Sequence, residues 1–157
     1  MNTITNLVMD HELSFEGIEQ PFFLIGLLNE FVNRLQTKGD SFFEEISWKQ
    51  CFLLICTKLF SKPPTINELS QVIGSSHQNV KQMLIKLEKA GFVDLVQDEM
   101  DRRKLRVIMT EKAKQFDQKY EKPSQEFIGQ LFQKIDPKEL EITIRTLIQL
   151  DHNLKEI

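Results

Sequence analysis

The stretch Phe92 to Thr110, FVDLVQDEMDRRKLRVIMT, constrains this chain more than any other. Two runs with β-like alternation, Phe92 to Val96 and Lys104 to Met109, flank a polar tip that reads DEMDRR, and runs this close in sequence pair most simply as an antiparallel hairpin. The surrounding sequence reads as helix. The expectation is a mainly α chain with a single small hairpin, whose tip carries adjacent arginines.

Upstream, PFFLIGLLNEFVNRLQTKG places Phe22, Ile25, Leu28, Val32 and Leu35 at three- and four-residue spacing, the period of a helix with one apolar face. Pro21 suits its first turn and Gly39 suits its C-terminal stop. A second helix is predicted near Ser47 to Phe60, with Ser47 as N-cap, and WKQCFLLICTKLF is apolar nearly all round. The prolines of SKPPT break the chain. Thr65 then caps INELSQVIG, with Glu68 at capping-box spacing and Gly74 as the stop. SSHQNVKQMLIKLEKAG follows at once, capped by Ser75 or Ser76, closed by Gly91, with Val80, Leu84 and Leu87 on its buried face. Beyond Thr110 a long tract contains Pro123, which should kink or split it. The last helix follows Asp136-Pro137, with a stripe at Leu140, Ile144, Leu147, Leu150 and Leu154.

The order short helix, tight turn, longer helix, hairpin is a winged helix-turn-helix. The longer helix keeps a polar face of Ser76, His77, Gln78, Asn79, Lys81 and Gln82, rich in groups that donate and accept hydrogen bonds. Such a helix fits the major groove of duplex DNA and meets base edges with its N-terminal end. Gln78 and Asn79 suit adenine, and Lys81 suits guanine or phosphate. The hairpin would then be a wing carrying Arg102, Arg103 and Lys104 toward the backbone or minor groove. Plainer readings stand beside this one. Asp98, Glu99 and Asp101 serve to solvate the turn, with Asp101 pairing to an arginine; if that arginine is Arg103, its loss loosens the wing itself. A helix pair with a hairpin also serves as a protein-interaction module without direct DNA binding.

Composition narrows the alternatives. The 157 residues, 41% hydrophobic and 27% charged, suit one compact domain or one with helical arms. The net charge of −3 hides a mild asymmetry: residues 62–112 hold 9 Lys/Arg against 7 Asp/Glu. That permits a nucleic-acid surface in the middle of the chain. No membrane span or signal peptide is legible, so a cytoplasmic location is expected. No phosphate loop, nucleophile elbow or metal-ligand motif appears, and His11, His77 and His152 have no ligand spacing, so neither an enzyme nor a metal or other cofactor is expected.

The run INELSQVIGSSHQNVKQMLIKLEKAGFVDLVQDEMDRRKLRVIMTEKAKQF resembles the MarR family of bacterial transcription regulators, most specifically in LEKAGFV and in DEMDRRKLRVIMTEKA. Met109 stands where leucine is usual, and His77, Gln78 and Asn79 replace an Arg-Pro-Thr-like helix start. The resemblance implies a winged helix-turn-helix flanked by N- and C-terminal dimerisation helices. It also implies a homodimer on a pseudo-palindromic double-stranded operator, and a repressor released by a small-molecule effector. Asp101 and Arg103 match the family's wing pattern, Asp101 as a wing-structuring residue. The layout expected is an arm at 1–20, two helices for dimerisation and support at 21–60, the winged domain at 61–110 and C-terminal dimerisation helices at 111–157.

The resemblance implies two alternative switches. A small aromatic or lipophilic effector would sit against Phe31, Trp48 and Phe52, although a Phe-rich helical chain also needs those rings for packing. A cysteine-based redox sensor would use Cys51, near the first turn of the second helix and close to Lys49, whereas Cys56 reads as a packing residue.

Overall fold

Thr65 and Gly74 bound the shortest helix, each by its own chemistry. Thr65 Oγ1 accepts the Glu68 N–H at 3.3 Å, while the Glu68 carboxylate accepts the Thr65 N–H at 2.7 Å. This is the reciprocal cap that Thr-x-x-Glu spacing anticipates. Gly74 ends the helix at φ +66°, in left-handed backbone where a side chain would be strained.

The chain is described by a computed structural model over residues 17–157. Most of the expected N-terminal arm, residues 1–16, and with it His11, lies outside the described residues. The described residues form α1 (Gln20–Asp40), α2 (Trp48–Lys58), α3 (Ile66–Ile73), α4 (His77–Lys89), β1 (Val93–Gln97), β2 (Leu105–Met109), α5 (Glu111–Leu131) and α6 (Pro137–Glu156). The fold is therefore mainly helical, with one two-stranded antiparallel hairpin. It divides into two compact units, one ending at Thr110 and the other running from Glu111 to Ile157.

In the first unit the core is built from the faces that periodicity assigned. Leu53, Leu54, Leu69, Val80, Leu84, Leu87 and Phe92 are buried, so α2, α3 and α4 meet around one apolar centre. Ser47 caps α2 with Gln50 reciprocating, and Ser76, rather than Ser75, caps α4. The end of α4 is a Schellman turn: Phe92 N–H bonds Leu87 C=O and Gly91 N–H bonds Glu88 C=O, both at 2.9 Å, with Gly91 at φ +80°. That turn delivers the chain into the hairpin, whose register pairs Val93 with Met109 and Gln97 with Leu105.

Two expectations change. The helix α1 runs through Gly39 to Asp40 instead of stopping at the glycine. Gly39 is buried against the Trp48 indole, and a Cβ there would overlap the ring. The glycine serves close approach, not termination. Helix α2 buries Leu53, Leu54, Cys56 and Thr57 and leaves Phe52 and Ile55 exposed. Pro123 does not split α5, which is a single helix from Glu111 to Leu131.

The second unit is α5 and α6. Phe116 and Tyr120 of α5 are buried, with ring centroids 4.6 Å apart. In contrast, α6 buries none of its residues, and Ile144, Leu147, Leu150 and Leu154 of its stripe are exposed. Among the described residues no helix is long and apolar enough to cross a membrane.

Candidate nucleic-acid interface

Helix α4 divides its residues cleanly. Val80, Leu84 and Leu87 face the core, while Ser76, His77, Gln78, Asn79, Lys81 and Gln82 are all exposed. The Ser76 hydroxyl accepts the Asn79 N–H at 3.3 Å, which fixes the first turn. The exposed groups flank two concavities. On one side, His77 and Lys81 line a bay of about 520 Å³ shared with Arg103 and Lys104 of the hairpin and Glu68 of α3. On the other, Asn79 and Gln82 line a cleft of about 590 Å³ closed by Val32, Leu35, Trp48 and Phe52.

The hairpin tip is a built turn. Asp98 is 6% exposed, so it does not merely solvate the turn. Its Oδ1 accepts the N–H groups of Met100 at 3.0 Å and Asp101 at 2.8 Å, and its Oδ2 accepts from Arg106 Nε. The Asp101 N–H bond, then the Arg106 guanidinium, hold its carboxyl below the ordinary range. Lys104 N–H closes the tip on Asp101 C=O at 2.8 Å, and Asp98 N–H bonds Lys104 C=O at 3.0 Å.

Asp101 organises the other half. Its carboxylate accepts Arg103 Nε at 3.0 Å and Nη2 at 3.2 Å, a two-pronged pair, and lies 3.6 Å from Lys104 Nζ. The Arg103 side chain, then its backbone N–H, lower the Asp101 pKa. Arg103 is thus paired within the wing, though 90% of its side chain is exposed. Arg102 is exposed, with no hydrogen bond or ion pair among the described residues.

Arg106 escaped the sequence reading. It pairs with Asp98 and donates Nη1 to the Pro63 carbonyl at 2.6 Å, while Val107 N–H bonds Pro64 C=O at 2.9 Å. Thr65 and Arg106 form an antiparallel bridge, so the loop before α3 docks along β2. An aspartate opening a tight turn was a usable signal for the Asp98 cap. Nothing local pointed to Pro63, which is 43 positions from Arg106.

Of the proposed effector residues, Trp48 and Phe52 line the apolar cleft, and Phe31 is exposed on α1 outside its lining. Trp48 stacks on Phe43 with centroids 6.0 Å apart, and its backbone N–H donates to Asp40 Oδ1 at 2.7 Å. Cys51 is half-buried. Cys56 is buried, and burial pushes its thiol pKa up. Among the described residues no group of three or more His, Cys, Asp or Glu could hold a metal ion.

A capped two-helix turn, an outward polar face on its second helix and a cation-tipped hairpin define a winged helix-turn-helix protein. No family model matches the sequence. Solved structures do. The chain is similar to a MarR transcriptional regulator from Methanosarcina mazei Go1, at 25% identity over 86% of this chain and 99% of that one, with a TM-score of 0.71. It is similar to S. aureus MepR in a DNA complex, at 17% identity, 81% and 95% coverage and a TM-score of 0.72. It is also similar to the PcaV regulator of Streptomyces coelicolor in complex with its natural ligand, at 13% identity, 89% and 97% coverage and a TM-score of 0.73. The chain has the MarR-type winged-helix fold.

Proposed function

We propose that this protein is a transcription regulator that binds double-stranded DNA sequence-specifically as a homodimer, and that it acts as a repressor released by a small-molecule effector. The observation that carries the reading is the exposed polar face of α4, His77 to Gln82, beside a hairpin tip bearing Arg102, Arg103 and Lys104. Helix α4 would enter the major groove, with Gln78 and Asn79 at base edges. The wing would contact the backbone or minor groove. MepR, of the same fold, is described in complex with DNA.

The outer helices support a dimer, since α1 leaves Phe22, Ile25 and Val32 exposed and α6 leaves Ile144, Leu147 and Leu154 exposed. Such apolar stripes are covered in a stable assembly. In this layout residues 21–60 dimerise and support, 61–110 read DNA and 111–157 dimerise. The cleft beside Trp48 and Phe52 suits a small aromatic or lipophilic effector. Its lining includes Asn79 and Gln82, so an occupant would touch the helix that reads DNA. PcaV, of the same fold, is described with a ligand.

A gel-shift competition tests the reading. Duplex DNA from upstream of the protein's own coding region should be retained against excess random duplex, as a band whose stoichiometry is two chains per site. Equal displacement by both duplexes would favour a protein-interaction module instead.

A further inference from the structure

We propose that Arg106, acting through Asp98, is the positioning residue of the wing: it sets where Arg102 and Lys104 stand relative to the recognition helix without itself contacting DNA. This rests on the DNA-binding reading above and names how that site is held in shape.

A two-stranded hairpin alone is marginal in water, and one with five-residue strands would swing about its root. Arg106 prevents that with its two arms. Nε engages Asp98 at the tip, and Nη1 donates to Pro63 C=O, in the loop that begins α3, at 2.6 Å. The backbone follows the same path, through the Val107 to Pro64 bond and the Thr65–Arg106 bridge. Helix α3 is joined to α4 by the short turn at Gly74, so one side chain ties the wing tip to the frame of the recognition helix. Asp98 completes the linkage. One of its oxygens holds the Met100 and Asp101 N–H groups, and the other holds Arg106, so its carboxylate is committed to the shape of the turn that presents Arg102.

Asp98 is also where charge and geometry predict opposite signs. A carboxylate near the phosphate-facing tip repels DNA, so by electrostatics alone Asp98→Asn tightens binding. By positioning it weakens binding, because an amide cannot replace the charge-assisted Arg106 bond on one oxygen while the other serves two N–H donors. Arg106→Lys keeps the charge but loses the planar fork that reaches two acceptors at once.

The test measures binding of wild type, Asp98→Asn, Arg106→Lys, Arg102→Ala and the Arg106→Lys/Arg102→Ala double variant to one operator duplex, with amide exchange read alongside. Both conservative variants should bind about tenfold more weakly, on the scale of one lost phosphate-contacting group. In the double variant the Arg102→Ala loss should shrink, since coupled residues are not additive. The Met100 and Asp101 amides should exchange faster in Asp98→Asn, while the Leu84 amide in the core keeps its protection. Equal or tighter binding by Asp98→Asn, or full additivity in the double variant, overturns the proposal alone. A wild-type protein that does not bind duplex DNA removes the underlying reading, and the proposal with it.

Discussion

Arg103 grips Asp101 through two parallel hydrogen bonds, at 3.0 and 3.2 Å, while Arg102 beside it has no partner among the described residues. Adjacent arginines on one turn therefore have different tasks. Arg103 is part of the wing's own structure, and Arg102 would break no ion pair on meeting a phosphate. Arg102→Ala should weaken binding evenly across sequences and lower the salt slope by about one, as a lost phosphate contact does. Arg103→Ala should weaken binding too, and in addition release Asp101 and raise amide exchange at the tip. Salt titration combined with exchange separates the two, and identical behaviour of both variants would show that the internal pair has no consequence.

Gln78 and Asn79 are exposed on the first turn of α4, the part of the second helix with which helix-turn-helix proteins meet base edges. Replacing either with Ala should flatten preference at particular base pairs, by about 1–3 kcal/mol of discrimination each. A binding survey over single-base operator variants checks this. A uniform loss with an unchanged preference profile would assign both amides to the phosphates.

The frame is legible in the sequence wherever its signal is local. Thr65 with Glu68, Ser47 with Gln50, Gly74 and Gly91 each act within a few residues, and every one does what its spacing implies. The α4 faces follow from a 3.6-residue period alone. What stayed hidden depends on distant partners. Gly39 reads as a helix stop until the Trp48 ring is seen against it. Asp98 reads as a turn acid until Arg106 closes over it, and Arg106 reads as an ordinary strand residue because its second acceptor, Pro63, lies on another loop. Phe31 and Phe52 looked alike as spare rings in a helical chain, yet Phe52 lines the cleft and Phe31 does not.

The pH response of the wing has a definite sign. Asp98 and Asp101 both have folded-state pKa values below their ordinary ones, so each stabilises the fold at neutral pH. That contribution is complete above the unfolded carboxylate value of about 3.9 and is lost as pH falls through the lower folded values. Thermal melts of wild type and Asp98→Asn should therefore differ most above about pH 5, and the gap should narrow as pH falls below about 4. A gap that stays constant down to pH 3 would mean that Asp98 is not charged in its folded-state bonds.

Trp48 is the only tryptophan in the chain, and it lines the cleft, so its emission reports on that cavity. Gly39→Ala places a methyl against its ring and should cost about 1–3 kcal/mol, with a shift in Trp48 emission. Urea unfolding followed by fluorescence measures both. An alanine accepted without loss would mean that α1 can move away from Trp48 at no cost.

On the proposed function, the α4 face and the wing tip bind duplex DNA together. Fluorescence anisotropy of the protein with a duplex from upstream of its own coding region, repeated across salt concentrations with random duplex as competitor, tests this most directly. Binding should be tight, prefer the cognate sequence and fall steeply with salt, since cations at phosphates release counterions. Feeble binding, equal for both duplexes and flat with salt, would contradict it.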